Sequence, residues 1–128
     1  MTNVSLQQLI NLNNKTAIVT GGAMGIGFGI ANRLAEAGAN VVIADLNEEV
    51  GNKAVKELND KGFKVVFVKT DVTSEQEIKE AVDFSVKTYG GIDILVNNAG
   101  IYPQIPVMQM KTTDFEKVLN VNLKSVFL

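Results

Sequence analysis

Cysteine and histidine are both missing from this chain. Without cysteine no disulfide framework can form, and without either residue the usual zinc and haem ligand sets cannot be assembled. No metal site is therefore expected. The lack of histidine also removes the commonest general base and any Ser-His or Cys-His nucleophile. An excess of basic charge is missing too: 12 Lys and Arg stand against 14 Asp and Glu, a net charge of −2. That gives no electrostatic case for nucleic acid or an anionic membrane as partner. No apolar run approaches the roughly 18 residues of a membrane span. Residues 1–14 are polar and lack the basic start and apolar core of a signal peptide. The expectation is a soluble, cytoplasmic protein.

What is present is ordinary globular composition, 46% hydrophobic and 20% charged over 128 residues, enough for one domain or part of one. Residues 1–14 read as a lead-in with a short helical turn at Leu6–Ile10, and 15–128 as one unit. Within that unit apolar runs at Lys15–Thr20, Asn40–Ala44, Phe63–Lys69 and Ile92–Asn97 read as strands. The run at Asn40–Ala44 suits a strand buried on both faces. Helical stripes alternate with these runs: Ile26, Ile30 and Leu34; Val50, Ala54 and Leu58; Ile78, Val82 and Val86 with Ala81 alongside. The last stripe is Phe115, Val118, Leu119, Leu123, Val126 and Phe127. Ser74 with Glu77, and Thr113 with Glu116, have the spacing of capping boxes. Strands and helices in strict alternation predict an α/β fold: a Rossmann-type, doubly wound parallel sheet, here its first four strands with flanking helices.

The turn after the first strand carries the most specific signal. Thr20-Gly21-Gly22-Ala23-Met24-Gly25-Ile26-Gly27 joins a strand to a helix. That arrangement sets an anion against the free N–H groups and positive dipole of a helix N-terminus. The spacing GxxxGxG fits Gly21, Gly25 and Gly27, whereas GxGxxG does not fit well. A phosphate-loop NTPase is excluded, because no Gly-Lys-Ser/Thr follows. A tight turn is the plainer reading of a glycine cluster, and its strand-turn-helix setting weighs against that.

Asp45 ends the second strand, where a carboxylate can accept hydrogen bonds from an adenosine ribose and repel the extra phosphate of NADP. Met24, Leu46 and Asn47 bring no basic residue to reverse that preference. A helix-capping role for Asp45 is the alternative. Asp71-Val72 and Asn97-Asn98-Ala99-Gly100 follow the third and fourth strands, at the carboxyl ends where open α/β sheets bind ligands. Turn chemistry is the plainer reading of both. Asn122 interrupts the last apolar stripe. A half-buried amide needs partners, so Asn122 either ties down a neighbouring loop or holds a water.

These motifs in this order resemble the short-chain dehydrogenase/reductase family, over nearly all of residues 14–128. The resemblance implies that Thr20, Gly21, Gly25, Ile26 and Gly27 belong to the cofactor-binding turn, with the last four lining the pyrophosphate. It implies that Asp45 binds the adenosine ribose and favours NAD over NADP. Asp71 and Val72 would flank the adenine, and Asn98, Ala99 and Gly100 would sit beside the cofactor and steady the sheet. Asn122 would be the helix asparagine of the catalytic tetrad.

The family's catalytic Ser and its Tyr-x-x-x-Lys pair have no counterpart in these residues. Tyr89 has Asp93 four residues on, and Tyr102 has Pro106. Val126, Phe127 and Leu128 carry no helix stop, as expected of a chain cut within a longer domain. Two readings follow. One is the cofactor-binding half of an NAD-dependent oxidoreductase acting on an alcohol or ketone, a homodimer or homotetramer when intact. The other is a non-catalytic nucleotide-binding module, or a half-domain working through a partner.

Overall fold

The computed structural model describes residues 5–128. The elements run in chain order as α1 (Leu6–Leu9), β1 (Thr16–Thr20), α2 (Gly25–Glu36), β2 (Asn40–Asp45), α3 (Glu48–Asp60) and β3 (Val65–Lys69). They continue as α4 (Glu75–Tyr89), β4 (Ile94–Val96) and α5 (Thr112–Leu119). A π-helical turn at Asn120–Lys124 and the short α6 (Ser125–Phe127) close the order. The four strands form one sheet in the order β3-β2-β1-β4. All pairings are parallel, with Val19 opposite Ile43 and Val96, and Ile43 opposite Phe67.

Burial on both faces explains the unbroken apolar run of β2. Val41 and Ile43 face a core built with Ala31 and Ala35 of α2 and Ala54 and Leu58 of α3. Val42 and Ala44 face the other side, against Phe84 and Tyr89 on α4. The sheet is therefore covered by α2 and α3 on one face and α4 on the other, a doubly wound arrangement. The lead-in is anchored to this body: the Leu12 N–H donates to the Ala37 carbonyl at 2.8 Å, and Leu12 packs on the first core. Among the described residues no helix is long and apolar enough to cross a membrane.

Several helix faces differ from the periodic reading. The seam of α2 is Gly27, Ala31 and Ala35, one residue out of phase with Ile26, Ile30 and Leu34. Small residues let the helix lie close to the sheet, so Ile30 and Leu34 only flank the core and Ile26 is 80% exposed. On α4 the buried positions are Ala81 and Ser85, while Val82 and Val86 are exposed. Ser85 is tolerated inside because its hydroxyl donates to the Ala81 carbonyl at 2.6 Å. On the last helical segment Phe115, Leu119, Leu123, Val126 and Phe127 are all exposed. The strands β3 and β4 are shorter than the apolar runs that mark them.

The helix starts also differ in part. Asn47 caps α3, accepting from the Val50 N–H at 3.1 Å. Ser74 caps α4, accepting from the Glu77 N–H at 3.3 Å, but the Glu77 carboxylate does not return to Ser74. The start of α5 is held by Asp114, which accepts from the Lys111 N–H at 3.2 Å, and not by Thr113 with Glu116.

Two features of the body can be tested. A methyl group at Gly51 would lie 2.1 Å from the Phe67 ring. Gly→Ala within a helix usually stabilises, but here overpacking should reverse the sign. Gly51→Ala is expected to cost about 1–3 kcal/mol in urea unfolding, and a gain in stability would refute the close packing.

The second feature is Asp93, which accepts from Lys15 Nζ at 2.8 Å and from the Thr16 N–H at 2.9 Å, pinning the base of β1 beside β4. The Lys15 hydrogen bond, then the Thr16 N–H, hold its carboxyl below the usual carboxylate range. The folded chain therefore binds fewer protons at Asp93 than the unfolded chain. That contribution is complete above the ordinary aspartate pKa of about 4 and is lost as pH falls through the lowered folded value. Asp93→Asn should be less stable than the parent at neutral pH, with the gap narrowing below about pH 4. A gap that stays constant with pH would show that the carboxylate charge contributes nothing.

Candidate nucleotide-binding cleft

The chain leaves β1 toward β2 on one side and returns through α4 to β4 on the other. Outside the carboxyl ends of β1 and β4 this reversal opens a crevice. The β1–α2 turn forms its floor. Gly21 and Gly25 take positive φ values of +63° and +57°. At Gly25 conformation is the reason for glycine, since a Cβ there would meet no atom of the described residues within 4 Å. At Gly27 the reason is space: a Cβ would lie 2.1 Å from the Gly21 carbonyl oxygen and 2.5 Å from Asn98 Nδ2. Met24, at the N-cap of α2, gives no side-chain hydrogen bond to the first turn. The leading N–H groups of a 12-residue helix thus meet the crevice without a side-chain cap.

Thr20 and Asn98 lock this turn to the end of β4. The Thr20 hydroxyl donates to the Val96 carbonyl at 3.3 Å and accepts from the N–H groups of Asn98 and Ala99, each at 3.1 Å. The Asn98 amide donates to the carbonyls of Thr20 at 2.9 Å and Gly21 at 3.1 Å. Neighbouring Asn97 is exposed.

Asp45 braces the same turn from β2. Its Oδ2 accepts from the Ala23 N–H at 3.1 Å and its Oδ1 from the Asn47 N–H at 3.0 Å. Asp45 therefore organises the approach to α3, while the cap itself is Asn47. Beyond β3, Asp71 Oδ1 accepts from both the N–H and the hydroxyl of Thr73, at 2.9 and 2.7 Å. These bonds, the backbone one first, hold the Asp71 carboxyl below its ordinary value.

Asn122 lies in the π-helical turn. Its Oδ1 accepts from the Ile101 N–H and its Nδ2 donates to the Ile101 carbonyl, both at 2.8 Å. An amide paired in this two-point fashion ties the segment after β4 to the last helical segment. Of the two sequence alternatives, the loop tie is the one seen in the chain itself. The residue is exposed, not half-buried as its place in the apolar stripe suggests.

A cleft of about 960 Å³ joins these parts. Gly21, Gly25, Ile26, Gly27, Asp45, Asp71, Val72, Asn98, Ala99 and Gly100 all line it. Thr20 and Asn122 do not; each acts through the backbone it bonds. The wall also includes Met24, Leu46, Thr70, Thr73, Ile101 and Lys117, which sequence reasoning did not single out as cleft-lining. Most of these adjoin a recognised motif. Lys117 gave no signal, because only the folding of α5 against the Gly100–Tyr102 segment brings it to the cleft.

Comparison with known proteins agrees with this geometry. The family model described as "short chain dehydrogenase" matches residues 15–128. An uncharacterized oxidoreductase from Thermotoga maritima is 42% identical over 117 residues, which is 91% of this chain and 46% of that protein. A 3-oxoacyl-(acyl-carrier-protein) reductase, FabG, from Chlamydia muridarum is 46% identical over 117 residues, 91% of this chain and 47% of its own length. The crystal structure of a short chain dehydrogenase from Mycobacterium smegmatis superposes with a TM-score of 0.87 at 39% identity, over 91% of this chain and 49% of that one. The chain thus spans about half the length of the curated relatives it matches. With its strand order, its glycine turn and this match over nearly every residue, the chain belongs to the short-chain dehydrogenase family.

Proposed function

We propose that this chain is the cofactor-binding part of an NAD-dependent oxidoreductase that interconverts an alcohol and a ketone by hydride transfer. The observation that carries the reading is the α2 N-terminus, without a side-chain cap, opening into a cleft whose wall includes Asp45. A helix end in that state fits the pyrophosphate of a dinucleotide. The open space over Gly25 fits the same group.

In this reading Gly25, Ile26 and Gly27 hold the pyrophosphate through backbone N–H groups, while Gly21, whose own N–H donates to the Ala44 carbonyl at 2.8 Å, lines it through its bare Cα. Thr20 keeps the turn in place from below. Asp45 accepts hydrogen bonds from the adenosine ribose hydroxyls; each oxygen already takes one N–H and keeps capacity for a second donor. Met24 and Leu46, exposed beside it, offer no cation for a ribose phosphate. Lys117 is the one cation lining the cleft among the described residues, and it shares a second hollow with Gly100, Ile101, Tyr102 and Pro103. Asp71 and Val72 flank the adenine. Asn98, Ala99 and Gly100 lie beside the cofactor.

The bound dinucleotide supplies the hydride chemistry; the protein supplies orientation and proton handling. Asn122 serves the proton-transfer side by fixing Ile101, and so the segment that borders the reacting end. The exposed apolar residues of α5 and α6 give the intact enzyme a surface for a homodimer or homotetramer. The alternative of a binding module without catalysis draws on the lack of a Tyr-x-x-x-Lys pair among these 128 residues.

Asp45 provides the test of cofactor choice. Asp45→Ala removes both the ribose acceptor and the partner of the Ala23 N–H. NAD affinity should fall by roughly tenfold, the size of one lost charge-assisted hydrogen bond. NADP should be less affected, so discrimination narrows. Calorimetric titration of both cofactors measures this, and an unchanged NAD-to-NADP ratio would remove Asp45 from the ribose site.

A further inference from the structure

We infer that Glu77 is a positioning residue for the adenine-side wall of the cleft: from outside the cleft it fixes the Thr70–Thr73 loop through the Asp71 N–H. This rests on the nucleotide-binding reading above. The spacing of Ser74 and Glu77 calls for a reciprocal capping box, in which the glutamate would accept from the Ser74 N–H. The chain does something else. The Ser74 N–H donates to the Asp71 carbonyl at 3.0 Å, so it needs nothing from Glu77. The freed carboxylate accepts from the Asp71 N–H at 2.7 Å, among the shortest backbone-to-side-chain contacts of the chain.

The loop is tied at both ends and in the middle. Its start is held by the Thr70 N–H on the Asp45 carbonyl, at 3.0 Å. Its middle is held by Glu77 on Asp71, and Asp71 in turn holds Thr73. Thr70, Asp71, Val72 and Thr73 line the cleft, and Glu77 does not. Glu77 therefore touches no ligand in this reading and acts only through Asp71. A flat base needs a wall already in place, because a loop that orders on binding subtracts its lost freedom from the affinity. Without an acceptor at position 77 the part-buried Asp71 N–H loses its partner, and the loop shifts to find water.

The experiment is calorimetric titration of the chain with AMP, which carries the adenine half alone, across the parent and three variants. Glu77→Ala should raise the AMP Kd about fivefold or more, the effect of one hydrogen bond to a charged group. Glu77→Gln keeps an amide oxygen that can accept from Asp71, and should stay within about twofold of the parent. Ser74→Ala removes the cap from the same turn without touching the Asp71 N–H. It should lower the thermal midpoint yet leave AMP affinity within about twofold. Hydrogen exchange should show the Asp71 amide losing protection in Glu77→Ala alone. Parent-like AMP affinity in Glu77→Ala overturns the proposal and leaves the nucleotide reading intact. Equal losses in Glu77→Ala and Ser74→Ala also overturn it, since they would mark a general effect of the helix start. A parent that binds neither AMP nor NAD overturns the nucleotide reading and this proposal with it.

Discussion

The structure turns on how closely α2 approaches the end of β1. Gly27 sits where a single added carbon would lie 2.1 Å from the Gly21 carbonyl and 2.5 Å from the Asn98 amide. Only a residue without a side chain lets the helix start there. That contact brings the α2 N-terminus to the carboxyl edge of the sheet, and it brings Asn98, just past the end of β4, into reach of the Thr20 and Gly21 carbonyls. The phase of α2 follows from it as well: with Gly27 against the turn, Ala31 and Ala35 must face the sheet. A larger residue at any of the three would lift the helix and open the cleft floor.

A second regularity is that six polar side chains at or beside the cleft are committed to backbone groups. Thr20, Asn98, Asp45, Asp71, Glu77 and Asn122 each bond a backbone N–H or carbonyl. Several of those partners lie far away in sequence, so the bonds join segments that the sheet alone does not hold together. The result is a wall whose loops are fixed before any ligand arrives, which lowers the ordering cost of binding. The turn's own donors, at the start of α2, are the ones left without a side-chain partner.

The sequence made the fold and ten of the residues lining the candidate cleft legible because its punctuation is strong. Glycines, strand-ending Asp and Asn residues, and the apolar run of β2 mark places where the backbone has few options. The phase of α2 was less legible. Apolar periodicity finds bulky residues, and here the close-packed seam is made of Gly and Ala while Ile26 is 80% exposed. The same preference for small seam residues displaced Val82 and Val86 in favour of Ala81 and Ser85. The Ser74–Glu77 pattern located the helix start correctly but not the partner of the glutamate, because spacing alone does not tell Ser74 from Asp71 as donor. Asn122 stood out as an amide in an apolar stripe. Its partner, Ile101, lies across a proline-containing loop whose course no local pattern specifies.

The most direct test of a phosphate-binding turn is residue-resolved amide chemical shifts recorded while NAD is titrated into the chain. The account predicts the largest downfield shifts at the N–H groups of Gly25, Ile26 and Gly27, as the helix N-terminus takes up the pyrophosphate. Shifts centred elsewhere, or binding that leaves these three amides unmoved, would contradict it.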